Sequence, residues 1–291
     1  MAEPDYTAGS AATLKSAYRQ ETDMNTSTGG TGQVIASAAE VYEEFFLPAL
    51  FQEWASRVLE AARIQPGERV LDVACGTGVL ARAAAARTGA HGTVAGFDLN
   101  DGMLAVARRK APHIEWRQGR AEALPFDDAS FDDVVSQFGL MFFEDRPAAL
   151  REMMRVLRPG GRMTVAVWDS LDRIPGYAAV TGLLQRLFGE PAADALRMPF
   201  TLGDPQDLRS LFADAGIPTV RITTQRGTAR FPSIESWMYT DVKGWTLADM
   251  IDDAQFGQLL EEARRVLRRF VTADGTVAFD SAAHIITATK S

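Results

Sequence analysis

The amino-acid sequence predicts an α/β fold, in which helices cover both faces of a doubly wound and mostly parallel sheet. Short apolar segments alternate with helical patterns through residues 69–168. The first segment, 69–73, leads into the glycine turn 75–78 (CGTG) and then into an Ala-rich helical pattern. Further strand patterns occur at 219–224 and 282–289. Strands that alternate with helices at this spacing are typical of parallel sheets.

The chain before the first strand divides into two parts. Residues 1–35 are small and polar, and their Gly, Ser and Thr content predicts a flexible N-terminal arm. Residues 36–66 carry aromatic side chains at helical spacing, which predicts two helices interrupted at Pro48. These helices either pack on the sheet or place Tyr42 and Phe46 over a bound ligand.

Residues 67–170 are expected to form the core that holds this ligand. A helix is predicted at 101–110, with Asp101 as its N-cap. The remaining predicted elements are strands at 92–97, 114–117, 131–136 and 162–168 and a helix at 146–157.

Beyond residue 170 the regular alternation stops. We expect a lid insertion at 171–203, followed at 204–291 by the end of the core sheet, which itself holds a helical insertion at 233–271. Such insertions would cover the carboxyl ends of the strands, where open α/β sheets bind ligands. Their aromatic side chains either form the core of the lid or favour a hydrophobic or aromatic small molecule.

Composition excludes several classes of function. The net charge of −8 argues against a nucleic-acid partner, which requires concentrated Lys and Arg. The single cysteine, Cys75, and the three scattered histidines predict no metal site and no disulfide. No apolar run is long enough to cross a membrane and no signal-peptide core is present, so we expect a cytoplasmic protein.

Two acidic residues lie near the ends of predicted strands. Asp98 follows the second strand, where a carboxylate can accept two hydrogen bonds from ribose hydroxyls. Alternatively, it is an acid at the start of the next helix. Asp72 lies beside the glycine turn, and a buried acid is costly there unless turn N–H groups or a cationic ligand bind it. Because Asp72 would repel phosphate, it favours a positively charged ligand over a dinucleotide.

Five sequence blocks connect these features to a known family. They are VLDVACGTG (70–78), GFDLNDGML (96–104), GRAEALPFDDASFDDVVS (119–136), FGLMFF (138–143) and REMMRVLRPGGRM (151–163). In these blocks the chain resembles the class I S-adenosylmethionine-dependent methyltransferases, particularly the UbiE-like branch of ubiquinone and menaquinone biosynthesis. The resemblance implies a Rossmann-like methyltransferase fold with helical lid insertions, whose seven-stranded sheet ends in an antiparallel strand.

The resemblance also implies a site for S-adenosyl-L-methionine, with S-adenosyl-L-homocysteine as product. The residues that would contact this cofactor are Asp72, Ala74, Gly76, Thr77 and Gly78 at the methionine moiety, Asp98 at the ribose, Leu99, Met103, Ala121 and Glu122 at the adenine, and Gln137 and Phe138 at the sulfonium. The family often has an aspartate where this chain has Arg120, so Glu122 or a backbone carbonyl is expected to replace its contact with adenine.

The implied reaction is O- or C-methylation of a small, partly hydrophobic or aromatic metabolite. Positioning and desolvation can supply much of the catalysis, and a base is needed only if the acceptor must lose a proton. No histidine is well placed for that role, so the catalytic residue stays open. The candidate polar groups near the methyl group are Tyr42, Gln137 and Tyr177, followed by Glu144 and Asp169.

The sequence also bears on several other functions. An NAD-dependent oxidoreductase is disfavoured because Ala74, Gly76 and Val79 occupy the places of its three glycines. Methylation of nucleic-acid bases is disfavoured because 136–139 (SQFG) lacks an Asn/Asp-Pro-Pro-aromatic segment. A cyclase-like enzyme that binds S-adenosylmethionine without transferring methyl and a methyltransferase acting on protein or RNA stay open.

Overall fold

A computed structural model describes residues 36–243, 247 and 249–291 of the chain. The predicted N-terminal arm, 1–35, lies outside the described residues. In the predicted helical insertion at 233–271, residues 244–246 and 248 lie outside them as well.

The described residues form a seven-stranded sheet with the strand order β3-β2-β1-β4-β5-β7-β6. The strands are β1 (Arg69–Val73), β2 (Thr93–Asp98), β3 (Glu115–Gln118), β4 (Phe131–Gln137), β5 (Leu157–Trp168), β6 (Arg221–Phe231) and β7 (Val277–Thr289). Strands β1 to β5 pair in parallel, and β7 runs antiparallel to both β5 and β6. The predicted mostly parallel sheet with an antiparallel last strand is therefore confirmed.

The order of the strands reverses at β1, which lies between β2 and β4. A reversal of this kind opens a crevice at the carboxyl ends of the strands, where doubly wound sheets bind ligands. The first glycine turn of the chain follows β1 directly, so the turn lies at this crevice.

The helices connect the strands and build the region over the sheet. They are α1 (Ala36–Val41), α2 (Gln52–Ala62), α3 (Val79–Thr88), α4 (Asp101–Lys110), α5 (Arg146–Val156), α6 (Pro175–Phe188), α7 (Glu190–Arg197), α8 (Pro205–Asp214), α9 (Ile234–Lys243) and α10 (Asp253–Val266). The N-cap of α8 is Asp204, whose side chain accepts from the N–H of Gln206.

Some predicted boundaries were wrong for identifiable reasons. The N-cap of α4 is Asn100 rather than Asp101, since the Asn100 side chain accepts from the N–H of Met103. Strand β5 begins at Leu157 rather than at residue 162, because the segment 158–161 already belongs to the strand. Strand β6 is longer than predicted; as the edge strand it is polar, which hides the usual apolar pattern.

A π-helical segment, Tyr42–Phe51, joins α1 to α2. Pro48 lies inside it, and a proline cannot donate the backbone hydrogen bond that an α-helix requires. Half of the segment is buried, including Phe46, Leu50 and Phe51. The segment contacts β6 and α9, so it links α1 and α2 to the part of the chain predicted as a helical insertion.

Ion pairs hold the amino ends of the strands together, at the edge of the sheet opposite the glycine turn. Asp132 of β4 accepts from the backbone N–H of Arg69 at 2.8 Å and pairs with the guanidinium groups of Arg69 and Arg158. Arg162 bridges Glu68 and the fully buried Asp133. These pairs fix the relative register of β1, β4 and β5 at this end.

Candidate active site

Asp98 ties together the two loops that border the crevice. Its Oδ2 accepts from the N–H of Gly76 and its Oδ1 accepts from the N–H of Asn100, both at 2.8 Å. Burial raises the pKa of Asp98, although these two N–H groups partly oppose the change. Each carboxylate oxygen keeps a further lone pair, so Asp98 can still accept from a ligand.

Asp72 carries a deeply buried carboxyl group. The residue is 1% exposed, and among the described residues neither oxygen has a hydrogen-bond partner. Burial raises its pKa well above the usual range, and the charge of Asp98 adds to this; the nearby backbone N–H of Ala81, which does not reach hydrogen-bond geometry, partly opposes it. An orphaned acid of this kind is costly, and a positively charged ligand would relieve the cost.

The glycine turn depends on two contacts that sequence reasoning missed. Gly78 has a φ of +87°, and a Cβ on it would lie 2.4 Å from the ring of Trp116. Ala74 also adopts the left-handed region, with a φ of +58°, and its methyl group fills the space next to Gly139. Both contacts join residues distant in the chain, so no local pattern reveals them.

The residues expected at the adenine lie after β2 and β3. Leu99 is a large apolar side chain that is 44% exposed beside Asp98, whereas Met103 and Ala121 are buried. Glu122 turns toward another loop, where its Oε1 accepts from the N–H groups of Glu144 (3.0 Å) and Asp145 (3.3 Å). An exposed apolar surface therefore stands at the place where the sequence predicts the adenine.

Arg120, at the position where an aspartate is common, belongs to an ion-pair network. It pairs with Glu144 at 2.6 Å and lies 3.6 Å from Glu122. This network holds the loop before α5 against the end of β3. Glu144, a candidate polar group, has a side chain that is 76% exposed and is engaged by Arg120.

Gln137 and Phe138 fasten the end of β4 to the N-terminal helices. The Gln137 side-chain amide donates to the carbonyl of Phe51 at 3.0 Å. Phe138 has a φ of +56°, and its ring stacks on Trp168 with centroids 3.7 Å apart. Trp54 meets both rings edge-on. The end of β4 is thus built into an aromatic stack.

Tyr42 closes the crevice from the N-terminal side. Its ring stacks on Phe51 at 5.2 Å and packs against a cluster that includes Met103. Burial raises the pKa of Tyr42 far above its ordinary value, and the nearby charges of Asp98, Glu43 and Asp72 raise it further. Tyr42 therefore keeps its proton at neutral pH and lies beside the acids of the crevice.

Tyr177 lines a small apolar cavity, of about 10 Å³, on the other side of Phe51. The cavity is lined by Leu50, Phe51, Trp168, Tyr177, Leu196, Pro199, Phe200 and Ser281. The Tyr177 hydroxyl donates to Asp241 Oδ1 of α9 at 3.1 Å, and both residues are buried. Sequence reasoning missed Asp241; the signal was an acid within the apolar pattern of α9.

Asp169 lies outside this lining. Its Oδ1 accepts from the N–H of Ser170 and lies 3.2 Å from Nε2 of His284. Because successive side chains of an extended chain point to opposite sides, Asp169 faces away from Trp168, which lines the cavity. Nδ1 of His284 lies 2.9 Å from the Thr224 hydroxyl. Both ring nitrogens of His284 therefore already have polar partners within the protein.

The described residues offer neither a metal-binding cluster nor a membrane-spanning helix. They contain no group of three or more His, Cys, Asp or Glu side chains that could hold a metal ion. Among the helices that the structure describes, none is both long enough and apolar enough to cross a membrane.

Comparison with known proteins relates this geometry to a family. The family model described as a methyltransferase domain matches residues 70–161. The demethylmenaquinone methyltransferase of Staphylococcus carnosus is 35% identical over 188 residues, which cover 60% of this chain and 78% of that protein. The chain belongs to the class I S-adenosylmethionine-dependent methyltransferases, in the UbiE-like branch. S-adenosylmethionine is accordingly the cofactor of this methyltransferase.

Other relatives agree with this assignment. The ubiquinone/menaquinone biosynthesis C-methyltransferase UbiE of Stenotrophomonas maltophilia is 41% identical over 143 residues, which cover 46% of this methyltransferase and 56% of that enzyme. Among solved structures, the YcgJ protein of Bacillus subtilis aligns with a TM-score of 0.56 at 22% identity, covering 82% of this chain and 98% of that one. The phosphoethanolamine N-methyltransferase 2 of Haemonchus contortus, solved with S-adenosyl-L-methionine, aligns with a TM-score of 0.59 at 17% identity. The alignment covers 89% of this chain and 58% of that one. At these identities the two structures support the fold alone.

Proposed function

We propose that this enzyme methylates a carbon or oxygen atom of a small, largely apolar acceptor that carries a ring. The observation that carries the proposal is the group of aromatic rings packed around Phe51, which encloses an apolar cavity of about 10 Å³ that an acceptor would widen as it binds. One side of the Phe51 ring lines this cavity, and the other side stacks on Tyr42. Tyr42 in turn lies beside Asp98 and Asp72. A cofactor between the two acids and an acceptor in the cavity would therefore meet near Phe51.

The residues of the crevice fit S-adenosylmethionine. The orphaned carboxyl of Asp72 suits the positive charge of the methionine moiety, which the turn Ala74 to Gly78 would border. Asp98 would accept from the ribose hydroxyls, and exposed Leu99 would pack on the adenine with Met103. The backbone N–H of Ala121 would face the adenine edge. When bound, the cofactor supplies an electrophilic methyl group on a sulfonium.

The protein's contribution to methyl transfer is then orientation and exclusion of water. Phe51, Phe138 and Trp168 form a continuous aromatic wall, with Gln137 tying the end of β4 to Phe51. Such a wall holds an acceptor ring and keeps water from the reacting atoms. Within the described residues, no histidine lines the cavity, so the proposal assigns no histidine as a base.

The relatives favour carbon as the methylated atom. One is named a demethylmenaquinone methyltransferase and another a C-methyltransferase of quinone biosynthesis. An acceptor ring of that kind would match the apolar lining of the cavity. A folded protein or an RNA would need an open and polar surface instead, which this lining does not offer.

A labelling experiment tests the proposal. The purified enzyme is incubated with methyl-labelled S-adenosylmethionine and an extract of cells that produce the enzyme. The small-molecule fraction and the macromolecular fraction of the extract are tested separately. We expect label in an apolar extractable product, with S-adenosylhomocysteine accumulating in step. Mass spectrometry of the product distinguishes C- from O-methylation. Label in protein or RNA contradicts the proposal, and cofactor consumption without S-adenosylhomocysteine would indicate a cyclase-like enzyme.

A matched pair of variants shows whether the label depends on the crevice. Asp98→Ala is expected to abolish labelling, because it removes the acceptor of the ribose hydroxyls. Asp101→Ala removes a carboxylate only three residues away, on an exposed side chain that pairs with Arg108. This control is expected to label the product as the unaltered enzyme does.

A further inference from the structure

Arg82 of α3 joins the glycine turn to the π-helical segment on the other side of the crevice. Its Nη1 donates to the carbonyl oxygen of Thr77 at 2.6 Å, and its Nη2 donates to Oε1 of Glu43 at 3.0 Å. Thr77 lies within the glycine turn, and Glu43 directly follows Tyr42 in the π-helical segment. The planar fork of a guanidinium holds two acceptors in a fixed geometry, so one side chain connects the two segments.

The ion pair of Arg82 with Glu43 is largely shielded from water. The side chain of Glu43 is 10% exposed and that of Arg82 is 25% exposed. By contrast, Glu40 and Arg109, which pair between α1 and α4, are 50% and 58% exposed. Oε1 of Glu43 also lies 3.4 Å from Nζ of Lys110. Exposed ion pairs contribute little to stability, whereas a buried carboxylate that loses its partner is costly, so Glu43 separates from Arg82 only at a substantial cost.

The glycine turn needs bonds of this kind to keep one conformation. Gly76 and Gly78, on either side of Thr77, have φ values of +54° and +87°. Glycine has many accessible conformations, so a turn with two glycines is ordered only when other groups hold it. Asp98 holds the N–H of Gly76, and Arg82 holds the carbonyl of the next residue. The turn is therefore held from two directions, and the bond from Arg82 is the one shared with the π-helical segment.

Access to Asp72 requires part of the crevice to move. Asp72 is 1% exposed, so a cofactor binds it only after a neighbouring segment has been displaced. Strands β1 and β4 lie in the middle of the sheet and are held by pairing on both sides. The π-helical segment carries Tyr42 beside Asp72 and Asp98, and it contains Pro48, which lacks a backbone N–H. Of these elements, the π-helical segment is the one that can withdraw at the least cost.

We propose that Arg82 is a positioning residue that joins the glycine turn and the π-helical segment into one unit, so that the cofactor and its product exchange only when Glu43 separates from Arg82. Arg82 itself does not touch the reacting atoms. The inference rests on the part of the proposed function that places the cofactor at the glycine turn, and it does not depend on the acceptor. Because entry and departure of the cofactor need the same opening, loss of the ion pair accelerates both.

The test measures the exchange of S-adenosylhomocysteine on the immobilised full-length enzyme by surface plasmon resonance. Glu43→Gln is expected to raise the association and dissociation rate constants roughly tenfold each, the usual effect of losing one hydrogen bond between charged groups. The dissociation constant should stay within about threefold, because the two rate constants change together. Unchanged rate constants overturn the inference. Faster dissociation with unaltered association also overturns it, because the pair would then only stabilise the bound cofactor.

Variants of Arg82 separate its two contacts. Arg82→Met removes both, so it should accelerate exchange as Glu43→Gln does and also weaken the affinity roughly three- to tenfold, because the Thr77 carbonyl loses its donor. Arg82→Lys keeps the charge without the fork and should give intermediate rate constants. The double variant of Glu43→Gln with Arg82→Met should exchange no faster than Arg82→Met alone, since the two residues form one contact. Additive effects on the rate constants overturn the inference.

A matched control makes the same substitution at the next residue. Glu44 is exposed, so Glu44→Gln should leave both rate constants unchanged, and an effect as large as that of Glu43→Gln overturns the inference. Thermal denaturation reports whether each variant folds. If Arg82→Met does not fold, Glu43→Gln still decides the question, because it leaves the bond from Arg82 to Thr77 in place.

Asp98→Ala separates failure of the inference from failure of the proposed function. If Asp98→Ala weakens binding of S-adenosylhomocysteine while Glu43→Gln leaves its exchange unchanged, only the inference is wrong. If Asp98→Ala leaves the affinity unchanged, the placement of the cofactor at the glycine turn is wrong, and the inference fails with it.

Discussion

The methyl group of Ala74 occupies the space that Gly139 leaves empty, since a Cβ on Gly139 would lie 2.4 Å from the Cβ of Ala74. Ala74 belongs to the turn after β1 and Gly139 to the turn after β4, and these two strands are neighbours in the sheet. The contact therefore sets how closely the two loops of the crevice approach each other.

Gly139→Ala is expected to destabilise the protein by about 1–3 kcal/mol, the usual cost of overpacking. Gly139 has a φ of −104°, so the cost arises from the clash with Ala74 and not from the backbone. Ala74→Gly should restore most of the lost free energy of unfolding in the double variant, as measured by urea denaturation. Gly257→Ala, where an added Cβ meets nothing within 4 Å, serves as the control. Additive effects of the two substitutions would contradict a direct clash.

Asp98→Ala is expected to weaken binding of S-adenosylhomocysteine roughly 10- to 100-fold, because hydrogen bonds to a charged group contribute about 1.5–3 kcal/mol each. The substitution also releases the N–H groups of Gly76 and Asn100, so the two loops lose their link. Calorimetry measures the affinity. Asp98→Asn keeps one oxygen acceptor and should show an intermediate loss. An affinity within twofold of the unaltered enzyme would exclude Asp98 from the ribose site.

The sequence was sufficient for features that depend on local pattern. The strand, glycine turn and helix from Arg69 onward, and Asp98 at the end of β2, follow from apolar periodicity and turn chemistry. The contact of Gly78 with Trp116 and the bond of Tyr177 to Asp241 join residues 38 and 64 positions apart. Such pairs depend on how the elements pack, which a single sequence does not record. The length of β6 was predicted too short for a related reason. As the edge strand it pairs only with β7, and its sequence lacks the apolar alternation that marks a strand.

Asp132→Asn is expected to destabilise the protein by about 1–2 kcal/mol at pH 7 and by progressively less in acid. Burial alone would raise the pKa of Asp132, but hydrogen bonds from Arg69 and Arg158 hold it well below its usual range. A lowered pKa in the folded state contributes stability above the unfolded value of about 4, and this contribution is lost as the pH falls further. Urea denaturation between pH 7 and pH 3 measures the difference. The exposed Asp280→Asn is the control, and a difference that does not depend on pH would contradict the ion-pair origin.

Asp72→Asn is expected to stabilise the ligand-free enzyme while weakening its binding of S-adenosylmethionine. The pKa of Asp72 is raised in the folded state, so its contribution to stability is fully present below the unfolded value of about 4 and is lost as the pH rises toward the folded value. The free energy of unfolding of the variant should therefore exceed that of the unaltered enzyme increasingly from pH 5 to pH 8. A positively charged cofactor offsets the buried charge only when the carboxylate is present, so the order of thermal stability should reverse at saturating S-adenosylmethionine. If the variant is the more stable protein both with and without cofactor, Asp72 does not act on the charge of the ligand.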